Sequence, residues 1–142
     1  MNGTEKVVEH LKLTQAVINR LGKNSFLVKG WSMTIIVAAM VLIARHNVDN
    51  PYFALVLILP ALAFWVLDGY FLWQERLFRR VYDEFRVQSD TDFEMKPIKH
   101  KNEPKCSWLS AILSVTLIIF YLVEVLFIFF VSLIIYFGKT GC

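Results

Sequence analysis

The chain has 142 residues, of which 56% are hydrophobic, 15% aromatic and 19% charged, with a formal net charge of +3. That hydrophobic share is well above that of an ordinary soluble domain. It excludes a disordered or collagen-like chain and directs the reading to membrane-spanning helices, whose lipid-facing and interfacial positions suit twelve Phe and four Trp. Two cysteines, Cys106 and Cys142, and three scattered histidines, His10, His46 and His100, offer no metal-ligand spacing, and no cofactor is expected.

Residues 1–25 form the first segment. The stretch 4 to 22 has the pattern of an amphipathic helix, with Thr4 as its cap and Gly22 as its stop. At 100° per residue, Val7, Leu11, Thr14, Ile18 and Leu21 fall within an arc of about 80°, and Glu9, Lys12, Asn19, Arg20 and Lys23 lie opposite. The stripe is narrow and aliphatic, without Trp or Phe, so packing against another cytosolic helix is preferred to lying on the membrane surface. The segment carries no apolar stretch of the signal-peptide kind, and the first span is expected to act as the targeting signal.

A transmembrane hairpin is predicted over residues 26–73, with spans at about 26–44 and 52–73. The polar run Arg45-His46-Asn47-Val48-Asp49-Asn50-Pro51 makes the turn between them. Pro60 lies within the second span as a candidate kink. Gln74 to Arg86 then continues the same helical phase into water as a cytosolic extension. On it Leu77, Phe78, Val81 and Phe85 gather on one side, while Glu75–Arg79, Arg79–Asp83 and Arg80–Glu84 are spaced i,i+4. Leu11 and Ile18 of the first helix and Leu77, Phe78, Val81 and Phe85 of this stalk are the predicted cytosolic interaction surface. The stalk and linker occupy 74–107. Within them residues 87 to 106 are polar, contain Pro97 and Pro104, and read as a mobile linker.

Trp108 to Phe137 is a run of about thirty residues with a single charge, Glu124, and a bilayer core needs only about 20. Lacking internal Gly or Pro, the run is expected to be one continuous third span, followed by the tail 138–142. Basic residues concentrate before the first span and between the second and third. The positive-inside rule then places the N-terminus in the cytoplasm and the C-terminus outside. The two cysteines fall on opposite sides, so no disulfide between them is expected. Cys106 reads as a plain juxtamembrane thiol, with palmitoylation as the alternative.

Two constellations stand out within the spans. Lys29 lies 19 residues before Val48, the centre of the turn, and Asp68 lies 20 after it. An antiparallel hairpin puts them at nearly one depth, and a charge inside a span is costly without a partner. A structural ion pair is the expectation, with separate snorkelling to the interface as the alternative.

The second constellation is a polar seam. Ser110, Ser114, Tyr121, Glu124 and Ser132 fall within about 80° of helix circumference. Glu124 sits close to the middle of the membrane, about 24 Å along the helix from Trp108 and about 20 Å from Phe137. Such a seam faces protein or water rather than lipid. It could line an oligomer, where rings of Glu124 make a cation path. It could face the hairpin of its own protomer, or dock another membrane protein. Within the hairpin, the polar partners on offer at mid-depth are Thr34 and the backbone freed by Pro60.

No nucleophile elbow, phosphate-cradling glycine loop or zinc-protease motif is present, so no enzyme is expected. Basic and acidic residues alternate along the stalk, so nucleic acid is not indicated as a direct ligand.

The order of parts over residues 4 to 86 resembles the SLATT-type two-span modules found beside bacterial nucleotide-second-messenger and antiphage systems. Asn24-Ser25-Phe26-Leu27-Val28-Lys29-Gly30-Trp31, Phe64-Trp65-Val66-Leu67-Asp68-Gly69-Tyr70 and Gln74-Glu75-Arg76-Leu77-Phe78-Arg79 are similar to stretches of small bacterial membrane proteins. The resemblance is architectural, carries over no site residue, and does not extend to the third span. It implies a homo-oligomeric inner-membrane effector or accessory that permeabilises or depolarises the membrane when a partner signals.

The expectation is therefore an all-α integral membrane protein of three transmembrane helices, with an N-terminal amphipathic cytosolic helix and a cytosolic extension of the second span. A pore-forming effector, in antiphage defence, leads. A non-conducting adaptor that recruits a cytosolic partner enzyme is the alternative.

Overall fold

A computed structural model describes residues 2–45, 56–100 and 106–140. The described residues are all-helical apart from turns and irregular connections. The elements are α1 (Gly3–Arg45), α2 (Ile58–Phe85), a 3₁₀ turn over Pro97–His100, the short α3 (Trp108–Ile112) and α4 (Val115–Thr140). Two of these helices, α1 and α4, are long and apolar enough to cross a membrane. The polar turn and the start of the second span expected at Tyr52 lie outside the described residues.

Three expectations about helix boundaries are corrected. Helix α1 does not stop at Gly22 or break at Asn24-Ser25, and Thr4 lies inside its first turn rather than capping it. A mid-helix Gly costs about 1 kcal/mol and an Asn less, too little to end a helix whose buried stripe runs on in phase. Val7, His10, Thr14 and Ile18 are buried, Leu21 and Ser25 are half-buried, and Val28, Ser32, Ile36 and Met40 are buried again. The spacing averages close to the helical repeat of 3.6 residues, which keeps them on one face.

Pro60 sits in the first turn of α2, not in its interior. Its missing N–H belongs to the donors that a helix start leaves unused anyway, so no kink results.

The third apolar run is interrupted. Helix α3 ends at Leu113 with φ −86° and ψ 20°, and α4 starts after Ser114. Ser is a favoured residue just ahead of a helix. The Ser114 carbonyl accepts the Ile118 N–H at 2.9 Å, and its hydroxyl lies 3.3 Å from the Thr116 hydroxyl.

The helices contribute to two compact units. The first comprises residues 1–26 and Gly69–Leu113, the second Leu27–Asp68 and 114–142. In the first unit the front of α1 packs on the rear of α2. Leu77 and Val81 are buried, and the His10 and Phe85 rings lie 4.1 Å apart. Gly69 lets α3 come close to α2, because a Cβ there would stand 2.4 Å from Ile112 Cγ1 and 3.3 Å from its Cα. The second unit has an apolar core of Ile36, Met40, Ala61 and Ile128, flanked by Leu57, Ile58 and Val131. One stripe of α4 is buried there: Leu117, Tyr121, Glu124, Ile128 and Ser132, at steps of three or four residues.

Candidate functional site

The second unit holds a buried polar network. Lys29 of α1 and Asp68 of α2 form an ion pair, with Asp68 fully buried and the Lys29 side chain 22% exposed. The Tyr121 hydroxyl of α4 donates to Asp68 Oδ2 at 3.4 Å. The Tyr121 ring stacks on Trp65 with 6.0 Å between centroids. The Lys29 ammonium stands 5.9 Å from the centre of the Phe120 ring, a distance at which a cation is still attracted to an aromatic face. Two helix faces and one aromatic shelf thus converge on a single carboxylate.

Glu124 lies one turn further along α4, also buried. The Ser32 hydroxyl of α1 donates to its carboxyl group, with Oε1 at 2.8 Å and Oε2 at 3.0 Å. Ser32 is not one of the mid-depth polar partners expected from the sequence. Thr34, the expected hydroxyl, is exposed and donates to the Gly30 carbonyl of its own helix at 2.8 Å. The missed signal is the α1 stripe: Ser32 is four residues from both Val28 and Ile36, so it shares their buried face. Ser132 Oγ completes the stripe and is buried without a hydrogen-bond partner.

The five-residue seam divides. Tyr121, Glu124 and Ser132 are buried in the second unit. Ser114 is half-buried at the start of α4, and Ser110 is exposed in the first unit. There Arg76 Nη1 donates to the Ser110 carbonyl at 3.0 Å and lies 3.3 Å from its hydroxyl.

In the first unit, Ile18, Leu77 and Val81 are buried, and Leu11, Phe78 and Phe85 are half-buried. The stretch 87–96, read from sequence as a mobile linker, is tied to α1. The His10 Nδ1 and Thr91 Oγ1 lie 2.6 Å apart, and Lys6 pairs with Asp90 at 3.6 Å. Phe93, at φ 61°, takes a left-handed conformation that costs a bulky residue of order 1 kcal/mol. It thereby stacks its ring on His10 at 5.7 Å. The Thr91 hydroxyl accepts the Phe93 N–H at 3.1 Å, which helps hold this bend. Burial pushes the His10 imidazole below the usual histidine range, opposed by the negative charge of Asp92. Lys99 is raised by its hydrogen bond to Glu84, at 2.7 Å. Further along, Trp73 Nε1 donates to the Cys106 carbonyl at 2.7 Å, and the Cys106 thiol is buried.

Among the described residues no group of three or more His, Cys, Asp or Glu side chains is placed to hold a metal ion. What the network does chemically is hold: it gives two buried carboxyl groups hydrogen-bonding or ionic partners inside one chain. No family model matches this chain, and comparison with curated proteins and with solved structures returns no match.

Proposed function

We propose that the chain is a three-span inner-membrane protein of bacterial type that acts as a non-conducting adaptor. Its N-terminus and its charged helical layer, formed by the front of α1 and the rear of α2, lie in the cytoplasm, and its C-terminus lies outside. The distribution of Lys and Arg supports this orientation. Besides the spans in α1 and α4, the second span is the α2 stretch that ends at Trp73, read together with the apolar residues before it.

The observation that carries the adaptor reading is where the polar side chains of the second unit go. Asp68, Tyr121, Ser32 and Glu124 are directed at one another within one chain. The exposed positions of α1, α2 and α4 in this unit are apolar, with Thr34, Thr116 and the end-of-helix Arg45 and Tyr136 as the polar exceptions among the described residues. Leu122, Val123, Leu126, Phe127, Phe129 and Phe130 of α4 all face outward. Such a surface suits lipid or another apolar helix and offers water no path. The partner is a cytosolic protein engaged by the helical layer. The pore-forming effector, and the link to antiphage defence, would require the Ser32–Glu124 bonds to open and Glu124 to turn toward a neighbouring copy.

Planar-bilayer recording of the purified protein tests this. The expected result is no discrete current from the folded protein, from Glu124→Leu, or after addition of a copurifying partner. Discrete currents whose selectivity changes in Glu124→Leu would replace the adaptor by an oligomeric channel.

A further inference from the structure

A second polar feature lies in the first unit, apart from the network. A cavity of about 430 Å³ is lined by Arg76, Arg79, Arg80, Asp83, Cys106 and Ser110. Three of the lining residues are arginines and one is an aspartate. Asp83 is itself engaged by Arg86 Nε at 3.7 Å. Arg79 gives Nε and Nη2 to Glu75 Oε1, at 3.0 and 2.6 Å, while Arg76 is anchored through Nη1 alone on Ser110. Among the described residues, Nε and Nη2 of Arg76 and Nη1 of Arg79 therefore keep donors without a protein acceptor. Anchored, planar guanidinium groups with spare donors and a hydroxyl close by are the donor set that recognises a phosphate group bidentately.

The place of the cavity in the sequence narrows the ligand. Helix α2 is apolar from Ile58 to Trp73 apart from Asp68, and turns charged at Gln74-Glu75-Arg76. Trp73 is pinned to the Cys106 carbonyl, and Trp108, 42% exposed, opens α3. Trp residues mark the level of the lipid headgroups, and basic pockets on the cytoplasmic side of membrane helices suit anionic headgroups. We propose that this cavity binds the phosphodiester headgroup of an anionic glycerophospholipid, with Arg76 and Arg79 as its principal donors. The proposal rests on the reading that α2 leaves the bilayer near Trp73, and not on whether the protein conducts.

The test uses the full chain purified in neutral detergent. Its thermal unfolding is followed while short-chain phosphatidylglycerol, short-chain phosphatidylcholine or inorganic phosphate is added. Phosphatidylglycerol should stabilise the protein saturably, and phosphatidylcholine should not. Arg79→Gln should weaken the apparent affinity about tenfold, as expected for loss of a charge-assisted hydrogen bond. Asp83→Asn, a change at an exposed position, should strengthen it and so reads out the site even where an arginine variant folds poorly. Equal stabilisation by both lipids, or an affinity that Arg79→Gln and Asp83→Asn leave unchanged, would overturn the site. Inorganic phosphate matching phosphatidylglycerol would assign the cavity to a soluble phosphate compound and overturn the lipid. Alkaline carbonate extraction of membranes separates the two readings. Release of the chain would overturn the membrane reading and the lipid with it. Retention without a phosphatidylglycerol effect would overturn the site alone.

Discussion

Asp68→Leu is expected to destabilise the protein by about 3 kcal/mol, measured by reversible unfolding with SDS in mixed micelles. The carboxylate is fully buried and receives both Lys29 and the Tyr121 hydroxyl. Removing it leaves a cation at a site built for a pair, and the uncompensated charge costs more than the pair itself contributes. The double variant Lys29→Met/Asp68→Leu should therefore recover most of the loss, because two apolar side chains of similar length fill the same space with no charge to desolvate. Asp68→Asn should fall between, since its amide oxygen still accepts from both donors. A double variant as unstable as Asp68→Leu would mean that the carboxylate acts through packing rather than charge.

The depth match behind this pair can be counted along the chain, because a hairpin fixes register by distance from its turn. The buried stripe of α4 is legible for a similar reason: 100° per residue gathers Tyr121, Glu124 and Ser132 without knowledge of any partner. Other features were hidden for physical reasons. Gly22 and Asn24-Ser25 have the chemistry of a helix end, yet their cost is small beside a stripe that continues in phase from Val7 to Met40. The break before α4 carries no Gly or Pro. It depends on Ser114 at the start of α4 and on the close approach of Ile112 to Gly69, a contact between distant parts of the sequence. Residues 87–96 have a linker's composition, and only the proximity of His10 to Thr91 and Phe93 shows that they are held. The partner of Glu124 is not evident from depth alone, because Thr34 offers a hydroxyl at the same level. Ser32, two residues earlier, is on the buried face and Thr34 is not.

Tyr121→Ala should cost about 3–5 kcal/mol in the same unfolding measurement. The ring is 2% exposed, stacks on Trp65 and meets Phe120 edge-on at 5.1 Å. Its removal opens a cavity between α2 and α4 in the second unit that neither helix can close without shifting the Glu124 contact one turn away. Tyr121→Phe should cost less than about 1 kcal/mol. The hydroxyl is 3.4 Å from Asp68 Oδ2, long for an O–H···O bond, and Asp68 keeps Lys29 when it is lost. If Phe proved as damaging as Ala, the hydroxyl rather than the ring would hold α4 to the hairpin.

Whether the partner of Glu124 belongs to the same chain can be measured by cross-linking. In a background with Cys106 and Cys142 replaced by Ser, Ser32→Cys/Glu124→Cys would be treated in membranes with a short bifunctional thiol reagent, alongside Glu124→Cys alone. The expected result is an internal link at monomer mass for the pair and no covalent dimer for the single variant. Covalent dimers formed through position 124 alone would contradict it, placing Glu124 at an interface between copies and restoring the oligomeric path.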